Sequence, residues 1–137
     1  MVSMEQLNEA AKVTLPGLIG MEFTSGEAGR MAARLDIKPH HLAPNGYLHA
    51  ATVVAIADTC CGFGCMLSLP EGGTGFTTTE LKTNFTGTVR EGSIECEALL
   101  VHGGRRTQVW DATVTDPSTG RAIALFRCTQ MILRPNS

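Results

Sequence analysis

Asp58 is the residue that most demands a chemical account. It lies inside Leu48–Phe63, the most apolar stretch of the chain, where a carboxylate must be paired, protonated or at work. At helical spacings of three, four and seven its neighbours are Ala51, Val54, Ala55, Cys61, Gly62 and Cys65, nearly all small. Val53, Ile56, Cys60, Phe63 and Leu67 form the opposite, bulkier face. The bulky side faces packing, and the acid faces room for a ligand or a second backbone. A carboxylate so placed can take a proton from a reacting group or attack as a nucleophile. The plainer reading is an acid that caps or pairs inside an assembly.

Other polar candidates flank this segment. His40, His41, Asn45 and Gly46 lie in the loop before it, where the histidines brace a loop or touch a ligand and Asn45-Gly46 is first of all a turn signal. His49 stands at the segment's start, bonding a neighbouring loop or a substrate. Arg105-Arg106 follows Gly103-Gly104, so it is a solvated turn or a clamp for phosphate. The five cysteines sit in apolar runs without Cys-x-x-Cys or Cys/His ligand spacing, which predicts buried free thiols and neither a disulfide framework nor a metal site.

Composition bounds the partners. The chain has 137 residues, 43% hydrophobic, with a net charge of −2, which predicts one compact soluble domain over residues 1–137. Eleven Lys and Arg are offset by thirteen acids with no basic stripe, against nucleic acid as partner. No run suits a membrane span and no basic-then-apolar leader opens the chain, so the expected compartment is the cytosol.

The elements that must position Asp58 read as follows. Ser3 with Gln6 forms a capping box for a helix over Met4–Val13, stopped by Pro16-Gly17. Strands follow over Met21–Ser25 and Arg30–Ile37, then the loop Lys38–Gly46 and a long helix from Tyr47 to Leu67. Four more strands run over Phe76–Arg90, Ser93–His102, Thr107–Asp116 and Arg121–Arg134. The turns Glu91-Gly92, Gly103-Gly104 and Pro117–Gly120 make neighbouring strands antiparallel. The expected class is α+β, an antiparallel sheet wrapped around one long central helix. Such a unit leaves a strand edge exposed and the acid's face unlidded, and two copies would answer both needs, predicting a homodimer that further pairing would make a dimer of dimers.

The run His41-Leu42-Ala43-Pro44-Asn45-Gly46-Tyr47-Leu48-His49-Ala50-Ala51, followed by Asp58, resembles the signature loop and central helix of hotdog-fold acyl-CoA thioesterases of the phenylacetate-degradation (PaaI-like) type. Thr78–Phe85 and Gly104-Arg105-Arg106 fall where that family places its later motifs, so the resemblance extends from about Gly20 to Leu133. It implies a hotdog fold and hydrolysis of an acyl- or aroyl-CoA thioester, with coenzyme A as part of the substrate and no further cofactor. The family's acid matches Asp58, its oxyanion amide Ala50, its helper hydroxyl Thr78 and its phosphate-binding cations Arg105 and Arg106. The usual polar residue of the loop aligns with Ala43, so Asn45 or His41 would have to supply that group. This departure motivates a second reading, a non-catalytic domain that binds acyl-CoA. A hotdog dehydratase ranks last, since no histidine lies at helical contact spacing from Asp58.

The chemistry also follows from the elements. A thioester needs a donor where charge develops on its carbonyl oxygen, and the helix-start amides of His49, Ala50 and Ala51 are candidates reinforced by the helix dipole. Nine residues of helix rise ~13 Å, so Asp58 cannot reach a carbonyl held at its own helix's start. The acid must serve a thioester held by another subunit, in a pocket lined by small residues such as Ala51 and Gly62. Whether it attacks directly or deprotonates water is open.

Overall fold

The computed structural model describes residues 2–136. The capping box forms as the sequence predicts, with Ser3 and Gln6 exchanging side-chain and backbone hydrogen bonds at the start of α1 (Met4–Ala11). Pro16 does not simply stop the chain's first helix. It sits in the first turn of a second short helix, α2 (Leu15–Ile19), where its missing N–H costs nothing. Strands β1 (Glu22–Glu27) and β2 (Arg30–Asp36) follow, then a single 3-10 turn over Pro39–His41.

The long helix, α3, spans Ala50–Met66 and is buried over most of its surface, as befits a helix that is apolar all round. It begins three residues later than the pattern predicts. Leu48 N–H donates to Val89 O at 2.9 Å and His49 N–H to His41 O at 3.0 Å, which holds both residues extended. Strands β3 (Gly75–Phe85), β4 (Ser93–Gly103), β5 (Thr107–Asp116) and β6 (Arg121–Leu133) complete the structure.

All strand pairs are antiparallel, in the order β1-β2-β4-β5-β6-β3, and the six-stranded sheet packs its inner face on α3 as expected. The Glu91-Gly92 turn, however, does not join paired strands. β3 stops at Phe85, pairs with β6 and forms the far edge of the sheet, and the segment 86–92 crosses past the start of α3 to reach β4. Its anchors are Ile123 O, which accepts from Thr86 and Gly87, and Gly92 O, which accepts from Ile37.

Two glycines of α3 set how closely the sheet approaches. A Cβ on Gly62 would lie 2.8 Å from Cζ of Phe76, and one on Gly64 would lie 2.7 Å from the Trp110 ring. Trp110 is therefore core, its indole N–H donating to Gln108 Oε1 at 2.8 Å. All five cysteines are free and buried.

Candidate active site

The loop before α3 is built by local hydrogen bonds. Ala43 N–H donates to Tyr47 O at 2.7 Å, Gly46 N–H to Ala43 O at 2.9 Å, and Asn45 Oδ1 accepts from Tyr47 N–H at 3.1 Å. Gly46 holds φ at +87°, a conformation that suits glycine. Asn45 and Gly46, both expected at the site, spend these groups on the turn.

His41, also expected to touch substrate, is 2% exposed. Its Nδ1 accepts from Lys38 N–H at 2.8 Å and its Nε2–H donates to Ile19 O at 2.6 Å. Burial, the main cause, holds its pKa below the ordinary histidine value, so the ring is a neutral brace between α2 and the loop. Its carbonyl accepts from His49 N–H and from Thr52 Oγ1 at 2.9 Å, tying that brace to the first turn of α3.

These bonds decide which helix-start amide is available. His49 N–H is taken by His41 O, and Ala51 N–H donates to Nδ1 of the His49 side chain at 2.9 Å, a side-chain N-cap. Of the three expected donors only Ala50 N–H has no partner among the described residues, and Ala50 is exposed at the positive end of a 17-residue helix. A single backbone donor is thus aimed at whatever occupies the end of α3.

Asp58 lies eight residues further on, ~12 Å along the axis. It is half-buried, and its Oδ1 is closed to water without a hydrogen-bond partner. Desolvation alone raises its pKa, with no cation contributing. Ala51 beside it is exposed and Ala55 half-buried, but the space beside Gly62 is filled by the Phe76 ring.

Thr78 faces inward from β3, where a bulge between Thr78 and Glu80 shifts the pairing with β6. Its hydroxyl donates to Gln130 Oε1 at 2.7 Å, and Gln130 is fully buried. Sequence reasoning passed over Gln130, although its slot is legible: Phe126, Cys128 and Ile132 alternate with it on the inward face of β6, and a glutamine among them is out of pattern.

Arg105 and Arg106 are exposed on the β4–β5 turn, at the opposite end of α3 from Ala50. Arg105 borders a cavity of about 520 Å³ with Pro70, Glu71 and Arg134, whose guanidinium donates to Glu71 O and Arg105 O at 2.8 Å each. The expected residues therefore fall into three groups along α3: the helix start, the Asp58–Thr78 region and the arginine turn. Among the described residues no three His, Cys, Asp or Glu side chains are grouped to hold a metal ion, and no helix is long and apolar enough to cross a membrane.

The family profile described as the thioesterase superfamily matches residues 45–123. A 1,4-dihydroxy-2-naphthoyl-CoA hydrolase from Listeria monocytogenes is 30% identical over 111 residues, covering 81% of this chain and 89% of the hydrolase. The crystal structure of a thioesterase from Haemophilus influenzae superposes with a TM-score of 0.92 at 22% identity, over 100% of this chain and 94% of that one. A Streptococcus mutans protein crystallised with acetyl CoA gives 0.77 at 21% identity, over 84% and 90% of the two chains.

Proposed function

The chain belongs to the thioesterase superfamily and has its hotdog fold, and from that premise we propose that it hydrolyses acyl-CoA thioesters at a site shared between two copies. The observation that carries this reading is a pair of groups on α3 without a hydrogen-bond partner among the described residues, the Ala50 N–H and Oδ1 of Asp58. The amide, reinforced by the helix dipole, receives the thioester oxygen as it gains charge. The carboxylate of the second copy takes a proton from a water whose oxygen bonds the carbonyl carbon, and hands it to the departing thiolate; or it attacks that carbon itself, coenzyme A leaving as a thiolate that water protonates, and the resulting hydroxide hydrolyses the anhydride. Desolvation without a neighbouring cation suits a base, because it brings the pKa up toward working pH.

The second copy has an edge to dock on. Asn8 caps the outer edge of β1, its side chain bonding Phe23 N–H at 2.7 Å and Phe23 O at 3.1 Å, whereas β3, among the described residues, pairs with β6 alone. Leu81 and Phe85 lie on the inner side of β3, opposite the buried Cys128 and Ala124, yet are 43% and 49% exposed, which is apolar surface that a partner would cover. The proposed substrate carries an aryl or a short to medium acyl group, in keeping with the Listeria hydrolase and the phenylacetate-type resemblance, and Arg105 and Arg106 meet its phosphates.

A panel of acyl-CoA esters assayed for free thiol, wild type against Asp58→Asn, tests the proposal. The expected result is a loss of about 10²–10⁴ in kcat with ester binding retained; undiminished turnover would exclude Asp58 from the chemistry. The competing reading, a non-catalytic acyl-CoA binding domain, draws on Ala43, whose methyl offers no polar group and whose backbone serves the turn. Wild-type protein that binds the esters and releases no thiol would establish it.

A further inference from the structure

A threonine hydroxyl has one proton, and at Thr78 that proton is committed to Gln130 Oε1, 2.7 Å away. The Thr78 oxygen can then only accept on its remaining side. Thr78 lies beside the part of α3 that carries Asp58: Phe76, two residues earlier on β3, packs on Gly62, one helical turn past Asp58, and the chain runs back from there toward Val89 at the start of α3. We propose that Gln130 is a positioning residue for hydrolysis, holding the Thr78 hydroxyl as an acceptor so that the attacking water is oriented by Thr78 and Asp58 together. The inference rests on the reading of Asp58 as the base.

Three observations support it. Gln130 is 0% exposed, with apolar neighbours along β6 on the same face and Thr78 and the buried Gln108 across from it, and a buried amide is retained at a cost unless its hydrogen bonds serve a purpose. The bulge at Thr79 sets Thr78 opposite Gln130 while Leu81 still faces inward opposite Cys128, and bulges re-aim side chains in this way. Gln130 is also fixed from behind. Its Nε2–H donates to Cys128 Sγ at 3.4 Å.

In the step so arranged, a water molecule gives one hydrogen bond to the Thr78 oxygen and its other proton to the Asp58 carboxylate. Its oxygen bonds the thioester carbon. The C–S bond then breaks and the departing thiolate takes the proton from Asp58, restoring the carboxylate, while Thr78 keeps its own proton throughout. Water serves here as the nucleophile and no acyl-enzyme anhydride forms.

A double-mutant cycle tests this with the panel's best ester. Gln130→Met, similar in length but without the acceptor, is expected to lower kcat about tenfold, the worth of one ordinary hydrogen bond, with KM unchanged. In a Thr78→Val background the same change is expected to have no further effect on kcat. Equal losses in both backgrounds, or a loss of stability with kcat per folded enzyme intact, would show a strand tie only and overturn the proposal. Thr78→Val alone, should Gln130→Met not fold, overturns it by retaining full kcat. Asp58→Asn in the same series separates the two levels. If it abolishes turnover while both other variants are unaffected, only the role of Gln130 fails, whereas active Asp58→Asn enzyme removes the base on which the inference rests.

Discussion

An acid on a buried helix without a cation beside it costs the fold something, and Asp58 shows where that cost falls with pH. Desolvation raises its pKa in the folded chain above the ordinary value of 3.8. Between the unfolded and folded values the native chain therefore holds a proton that the unfolded chain has released. The associated stability is fully present below the unfolded pKa and is lost as pH rises through the folded one. Asp58→Asn has no proton to lose. Thermal melts across pH are expected to show this variant more stable than wild type at neutral pH, with the two converging below 3.8, while its turnover is expected to be lost. A wild-type advantage at neutral pH would mean that Asp58 is a paired structural acid after all. His41 is the contrasting case at the same scale, since its two ring nitrogens are both satisfied and its work is to hold the loop.

At the scale of the element, the start of α3 isolates one donor by occupying the others. Ala50 is the first helical residue after the His49 N-cap, a position where proline is favoured because its N–H has no intrahelical partner. His49 has φ −67° and ψ 136°, a conformation a following proline permits. Ala50→Pro should therefore fold with unchanged thermal stability and lose about 10²–10³ in kcat, because the one N–H removed is the proposed oxyanion donor. Stable Ala50→Pro enzyme with full activity would move the oxyanion contact elsewhere. Much of this element was legible in advance: unbroken apolar character announced the helix, its lone acid stood out, and Ser3 with Gln6 announced the cap of α1. What was hidden depends on distant partners. The bond from His41 to Ile19 spans 22 residues, and the place of β3 beside β6 rather than β4 follows from the 86–92 crossing, which a Glu-Gly turn read locally disguises as a hairpin. Gln130, like Gln108 on β5, was in plain view as a polar residue in an apolar alternation, and was passed over.

For the whole molecule, the three groups of residues along α3 are too far apart to act on one thioester from a single chain. Ala50 and Asp58 are ~12 Å apart, and the arginine turn lies at the far end of a helix ~25 Å long. A two-fold axis across the free edge of β3 would set the two helices antiparallel, bringing the arginine turn of one copy to the helix start of the other and Asp58 within range of the partner's Ala50. Each of the two sites then uses the amide of one copy and the acid of the other. Pairing an Asp58→Asn chain with an Ala50→Pro chain puts both lesions in one site and leaves the other intact. Each variant alone is expected to be inactive, but a mixed dimer, isolated by two affinity tags, is expected to recover about half the wild-type kcat per dimer, read as thiol release. Were each site contained in one chain, every site in that mixed dimer would carry a lesion and no activity would return. The complementation therefore tests the shared site directly, and its absence in a well-folded mixed dimer would return the amide and the acid to separate roles.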